Sequence, residues 1–391
     1  MLTNRNTYFR ATVFVALIFI IISSVYGQRR TKFDYRCLWV VRNALISERT
    51  IDDAINFADR YGFNNLIVQV RGRGDALYQS NIVPRSAILK DDSFDPLALI
   101  IKKAHAKGIK VHAWVNVYLL WSAKSDPYSD EHIFNAHPDW IDHNGQNGNN
   151  KADRERIKPT GDEGVYLAPH HPEVTPYLLS VFRELVAKYD LDGLHLDYVR
   201  YKDADYGNNR AALEYYKKSG GGEPLALLST VWSKADSVTQ FTNKLVKWSD
   251  YRRQAITDLV KKTKEMVLEV RPDCIVSAAV KPNLYDARNR FFQEWDVWLA
   301  AGYVDWVFPM NYAVSLRSFA ANIDIIYDNL PPKYRDRIIM GIATYNQSAF
   351  DVADKIKYTR VTRFRGVSLF SYNVLKDNPR YLYPLRRVLL P

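Results

Sequence analysis

The chain has 391 residues, 47% of them hydrophobic and 13% aromatic, and a formal charge of +11. That apolar and aromatic content excludes a disordered chain, and 17 glycines with 17 prolines are too few for a collagenous or linker-like one. Two cysteines cannot build a disulfide scaffold, and the length suits two or three average domains or one large barrel.

Residues 1–10 carry Arg5 and Arg10 and no acid, and Ala11–Ile22 is an unbroken apolar run. The run is short for a membrane span and right for the core of a secretory signal. Residues 1–27 therefore read as a signal peptide cleaved after Gly27, with an uncleaved signal anchor as the alternative. The expectation is an exported protein, periplasmic or extracellular, held at a membrane only if that segment is retained. Without residues 1–27 the charge is +9, which favours anionic partners such as an envelope glycan. Nucleic acid is not expected, because no Lys/Arg tract and no recognition motif is present.

From residue 34 to 391 short apolar runs alternate with amphipathic stretches, the pattern of a parallel α/β fold. CLWVV (37–41) leads to a helix over 51–61 behind Thr50. NLIVQV (65–70) precedes a helix over 96–107, capped by Asp95 and stopped at Gly108. KVHAWVNV (110–117) is followed by a long connection, 118–171, and a helix over 172–189. GLHLDYV (193–199) is followed by a second long connection, 200–250, and a helix over 252–270. CIVSAAV (274–280), a helix over 295–301, DWVFPMNY (305–312), RIIMGIATY (337–345) and GVSLFSY (366–372) complete the series. Eight such runs predict one (β/α)8 TIM barrel, whose active sites sit at the C-terminal ends of the strands. The long loops after strands 3 and 4 would then cover a cleft, with GQNGNN (145–150) and SGGG (219–222) at their tips. An open doubly wound sheet is the alternative, but no glycine-rich phosphate fingerprint follows a strand. Cys37 and Cys274 fall on opposite strands, too far apart to bridge.

Strand alternation sorts side chains by face. Val111, Ala113, Val115 and Val117 would face the helices, leaving His112, Trp114, Asn116 and Tyr118 facing the axis. Likewise His195 and Asp197 turn inward, as do Gln69 and Arg71. Asp197 is the first candidate for chemistry, with Arg200 or Lys281 as its cation. Glycoside hydrolysis needs a second carboxyl, for which the candidates are Glu294, shielded by Trp295 and Trp298, and Asp75. Asp192, Asp296 and Asp305 read instead as caps or residues leading into strands. Trp39, Trp114, Trp121, Tyr118, Tyr198, Tyr201, Tyr312 and Tyr372 fall near strand ends, where their faces suit sugar rings. His195, Asn116, Lys281, Asn311 and Tyr312 would position hydroxyls. No metal and no cofactor is expected: His195 and Asp197 form an i, i+2 pair without a third ligand, and no HExxH or GxSxG motif occurs.

In this order RCLWVV, QVRGRGDALYQS, HAWVNVYLLW, HPDWI, YLAPHHPEVTPYLLSVFRELVAKYDLDGLHLDYVRY, WSDYRRQAITDLV, SAAVKP, FFQEWDVWLAAGYVDWVFPMNY and GVSLF resemble the glycosyl-hydrolase-like family 10 barrels of bacterial envelopes. The resemblance implies a glycoside hydrolase acting on a cell-wall or extracellular polysaccharide. It covers the chain from Arg36 to about Tyr372. DGLHLDYV also resembles the corresponding strand of chitinase-type barrels, but Val199 stands where those carry a catalytic Glu. Asp197 is then left as nucleophile or charge stabiliser. At Gln293-Glu294-Trp295 the family usually has Asp in the middle, so Glu294 lengthens the arm. The alternatives are a non-catalytic glycan-binding barrel and a metal-dependent polysaccharide deacetylase.

Overall fold

The computed structural model describes residues 33–144, 163–221, 238–362 and 364–389. The expected signal segment and the 145–150 tip lie outside them. Eight parallel strands form the central sheet: β1 (Tyr35–Val40), β2 (Asn65–Arg71), β3 (Lys110–Asn116), β4 (Gly193–Asp197), β5 (Ile275–Val280), β6 (Trp306–Pro309), β7 (Ile339–Ala343) and β8 (Gly366–Phe370). The hydrogen-bonded order is β6-β5-β4-β3-β2-β1-β8-β7. Parallel bridges from Val307 to Ile338 and from Met310 to Gly341 bring β6 against β7. The expected (β/α)8 barrel is the observed fold.

Helices α1 (Glu48–Arg60), α2 (Pro96–His105), α3 (Val174–Lys188), α4 (Val238–Val270), α5 (Trp295–Ala301), α6 (Leu316–Asn329), α7 (Ala349–Val361) and α8 (Leu382–Leu389) follow the strands in turn. In α1, Ile51, Ala54, Ile55 and Ala58 are buried, the i, i+3, i+4, i+7 stripe of a helix lying on a sheet. Its cap is Ser47 rather than Thr50. The Ser47 hydroxyl accepts from Thr50 N, and the Thr50 hydroxyl accepts from Ser47 N, so the helix begins three residues early. Helix α2 starts where its cap predicts, Asp95 accepting from Ala98 N at 3.1 Å. Helix α4 runs well upstream of residue 252, where the sequence pattern placed its start.

Alternation divides the interior into two layers. Leu38, Val40, Leu66, Val68, Val111, Ala113, Val115, Leu194 and Leu196 pack against the helices. Cys37, Trp39, Ile67, Trp114, Ala279, Phe308 and Ile339 fill the barrel axis. Cys37 lies in this axial layer and Cys274 in the outer one, both as free thiols. At the bottom of the barrel, acids leading into one strand clasp the strand before it. Asp192 accepts from Val111 N (2.8 Å), with His105 and Lys110 beside it. Asp305 accepts from Val276 N (2.8 Å) and is paired with Lys264.

Closure depends on a glycine. A Cβ at Gly341 would lie 2.8 Å from Pro309 O and 3.3 Å from Met310 Cα, both backbone atoms that cannot swing aside. We expect Gly341→Ala to cost about 1–3 kcal/mol through overpacking, read as a lowered urea midpoint with an unchanged slope.

Candidate active site

At the C-terminal mouth of the barrel lies a cavity of about 710 Å3. Its floor is aromatic. Trp39 from β1 and Trp114 from β3 meet edge to face with ring centroids 4.8 Å apart, and Phe370 stands 5.8 Å from Trp39. Tyr312 and Tyr345 continue this surface, at 5.8 Å and 6.2 Å from Phe370. The Trp39 indole N–H has no hydrogen-bond partner among the described residues.

Two carboxylates line the cavity, Asp197 and Glu163. Asp197 ends β4, with its Oδ1 accepting from Tyr198 N at 2.7 Å. Tyr198 has φ of +53°, a turn that also leads Arg200 back to the cavity wall. Asp197 is 5% exposed. Burial pushes its carboxyl up to about 6, against the Tyr198 N–H, Arg200 and Lys281, which pull it down.

Glu163 arrives by a different route. In the long connection after β3, Leu119–Trp121 pairs antiparallel with Val165–Tyr166. Gly164 makes the approach possible, because its φ is +123° and a Cβ there would run into Trp121 O. Glu163 then meets Arg200, both carboxylate oxygens lying 2.8 Å from Nη2, and Tyr166 donates its hydroxyl at 2.5 Å. Burial raises its pKa, but Arg200 and Tyr166 outweigh that and hold Glu163 below the ordinary carboxylate range. Arg200 itself lies against the faces of Phe291 (5.0 Å) and Tyr198 (5.1 Å).

Lys281 Nζ also lies against the Phe291 ring, 4.3 Å from its centroid. Burial and the Arg200 charge bring its ammonium down to about 8. The Lys281 backbone is fixed by Gln293, which accepts from Lys281 N at 2.9 Å. On the β1 side Arg42 lines the wall in a slot left by Gly72, where a Cβ would be 2.7 Å from the guanidinium. Asn116 also lines the cavity, but its amide is engaged with Trp114 Nε1 and Gly72 O, each at 2.8 Å.

A family model described as glycosyl hydrolase-like 10 matches residues 34–355. The chain belongs to the glycosyl hydrolase-like 10 family. It is 25% identical over 337 residues to the glycosyl hydrolase DigH of Escherichia coli (strain CFT073), covering 77% of this chain and 67% of DigH. It is 25% identical over 381 residues to the glycosyl hydrolase YngK of Bacillus subtilis, covering 87% of this chain and 67% of YngK. The chain thus spans about two thirds of the length of those relatives. In fold it is similar to the glycoside hydrolase domain of PgaB (BpsB) from Bordetella bronchiseptica. That TM-score is 0.68 at 15% identity, over 91% of this chain and 98% of that one.

Within this glycosyl hydrolase-like 10 barrel the residues expected at the site divide. Trp39, Trp114, Asn116, Asp197, Tyr198, Arg200, Lys281 and Tyr312 line the cavity together. Glu294 lies outside it, at the start of α5, bound to Arg288 at 2.8 Å with Arg253 at 3.7 Å. Asp75 is also outside, tied to Ser86 and to Arg73 N. Arg71 follows a bulge in β2 and binds the carbonyls of Asn116 and Val117. His195 lies beneath Trp39 and Phe308, bound to Ser277 at 2.8 Å. Tyr118 and Val199 are buried in the outer layer. Asn311 is spent on Phe319 O and Asn322, and Tyr372 packs against Phe57.

Gln69 lines the cavity, as its inward face predicts, whereas Glu163, Arg42, Tyr345 and Phe370 were not among the expected residues. The one available sign for Glu163 was an acid beside a glycine in the loop expected to cover the cleft. Among the described residues no three His, Cys, Asp or Glu side chains are grouped as a metal site, and no helix is long and apolar enough to cross a membrane.

Asp197 is more costly to bury charged than neutral, so its pKa is higher folded than unfolded. That contribution to stability is complete below about pH 4 and lost as pH rises through 6. We expect Asp197→Asn to gain stability relative to the parent between pH 4 and 8, by at most about 3 kcal/mol, measured by urea unfolding at several pH values.

Proposed function

We propose that this chain hydrolyses O-glycosidic bonds in a cell-wall or extracellular polysaccharide after export. The observation that carries the reading is the pair of cavity carboxyls whose environments push their pKa values apart, Asp197 up to about 6 and Glu163 down. In glycoside hydrolysis one carboxyl must hold a proton for the leaving oxygen while the other stays ionised beside the oxocarbenium-like transition state. Asp197 suits the first task and Glu163 the second. This gives Asp197 the part of general acid rather than nucleophile, because a nucleophile would need the lower pKa. The aromatic floor of Trp39, Trp114, Tyr312 and Tyr345 supports stacking of sugar rings. Lys281 stands where ring hydroxyls would reach. Family membership and the barrel shared with the PgaB domain support the same reaction class. Export rests on the N-terminal sequence, and the net positive charge favours an anionic glycan.

Incubating the purified chain with peptidoglycan and a polysaccharide panel should release products with new reducing ends, read by mass spectrometry. Retention on a polymer without cleavage would instead assign a glycan-binding barrel, and metal-dependent acetate release with intact chains would assign a deacetylase. On the polymer cleaved, Asp197→Asn and Glu163→Gln should each lose about 10^2–10^4-fold in kcat, whereas Glu294→Gln should stay within a few-fold. Unchanged turnover in Asp197→Asn removes the mechanism.

The pH profile of kcat/KM should fall on the alkaline side with a midpoint near 6, as Asp197 loses its proton. Lys281→Met should move that midpoint upward, because the ammonium favours the carboxylate. A midpoint that does not move would show that another group sets the limb.

A further inference from the structure

A second cavity, of about 740 Å3, opens on the flank of the barrel mouth between α1 and the segment after β8. Phe57, Tyr61 and Tyr372 give it an aromatic side, with the Phe57 centroid 4.7 Å from Tyr61 and 5.2 Å from Tyr372. Asn43, Asp53 and Asn56 line it as well, and their side chains make no hydrogen bond to a described residue. Tyr372 is 4% exposed, yet its hydroxyl also makes none. The hydroxyl itself is open to the cavity, so it can donate to a molecule bound there. Burial, with Asp53 and Asp377 nearby, pushes the phenol up to about 12, leaving it a donor across the physiological range.

The charges around the cavity offset one another. Asp53 and Asp377 share it with Arg60 and Lys376, and Lys376 Nζ is 3.3 Å from Asp377. Aromatic faces beside unspent amides and a hydroxyl, with little net charge, suit a neutral polyhydroxylated ring better than an ion or an apolar ligand. The position adds a second argument. Val41 and Arg42 line the catalytic cavity, while Asn43 and Ala44 line this one, so a single turn of chain is the wall between them. Val41 N donates to Asn373 Oδ1 at 2.9 Å, tying that wall to the segment after β8.

We propose that the flank cavity is a non-catalytic saccharide site, holding a neutral pyranose of a polymer whose neighbouring stretch can reach the catalytic cavity. The site goes beyond the hydrolase reading and does not need Asp197 to act.

The test uses the full chain carrying Asp197→Asn, with chitohexaose and cellohexaose as probes, in soaked crystals and by titration calorimetry. A pyranose in the flank cavity in contact with Tyr61 or Tyr372 is the expected result. Adding Asp53→Ala with Asn56→Ala should weaken that binding event about tenfold and leave occupancy of the catalytic cavity in place. Tyr372→Phe, which keeps the ring, should weaken it several-fold and guards against a folding failure. Water alone in the flank cavity with both probes, or affinity untouched by these substitutions, overturns the proposal. A sugar bound here in a chain that cleaves no polymer would leave this site standing and remove the hydrolase reading. Cleavage with this cavity empty would do the reverse.

Discussion

The ion pair between Arg200 and Glu163 is the contact on which the mouth of this barrel depends. It joins two long connections that leave adjacent strands, one after β3 and one after β4. The guanidinium side chain is 3% exposed, and both Glu163 oxygens bind its Nη2. Glu163 keeps 38% of its side chain exposed, so water screens the attraction and the pair is not itself a large source of stability. Its value lies in geometry. It fixes an ionised acid over an aromatic floor, and it gives the cation beside Asp197 a partner of its own. Asp197 can therefore keep its proton near pH 6 with Arg200 and Lys281 both in reach.

The fold was legible because the sequence repeats one physical device. Each strand is a short β-branched and aromatic run, several helices begin at a side-chain cap, and strands and helices alternate through the chain. Where boundaries moved, local chemistry explains it: Ser47 outcompetes Thr50 as a cap because the two hydroxyls close a reciprocal box.

The site was legible only in part, and the misses share causes. Alternation reports which face a side chain takes, not how deep it lies. His195 and His112 do face the axis, but below the tryptophan floor, where one binds Ser277 and the other Asn65. Alternation also fails where strands end: the bulge after Gln69 diverts Arg71, and Tyr118, Asn311 and Tyr372 turn away from the cavity. Glu163 was beyond local reasoning altogether. Its place is set by a two-stranded pairing across a connection of more than forty residues, and by a glycine whose backbone angle no neighbouring pattern announces.

The carboxylate clasps at the bottom of the barrel have a consequence for how such a molecule can change. Asp192 and Asp305 secure β3 and β5 at the end remote from the cavity, without touching any residue that lines it. Durability and reactivity are thereby assigned to opposite poles. Loops at the mouth can be exchanged, lengthened or trimmed while the foundation stays intact, which makes the scaffold a tolerant chassis for new specificities.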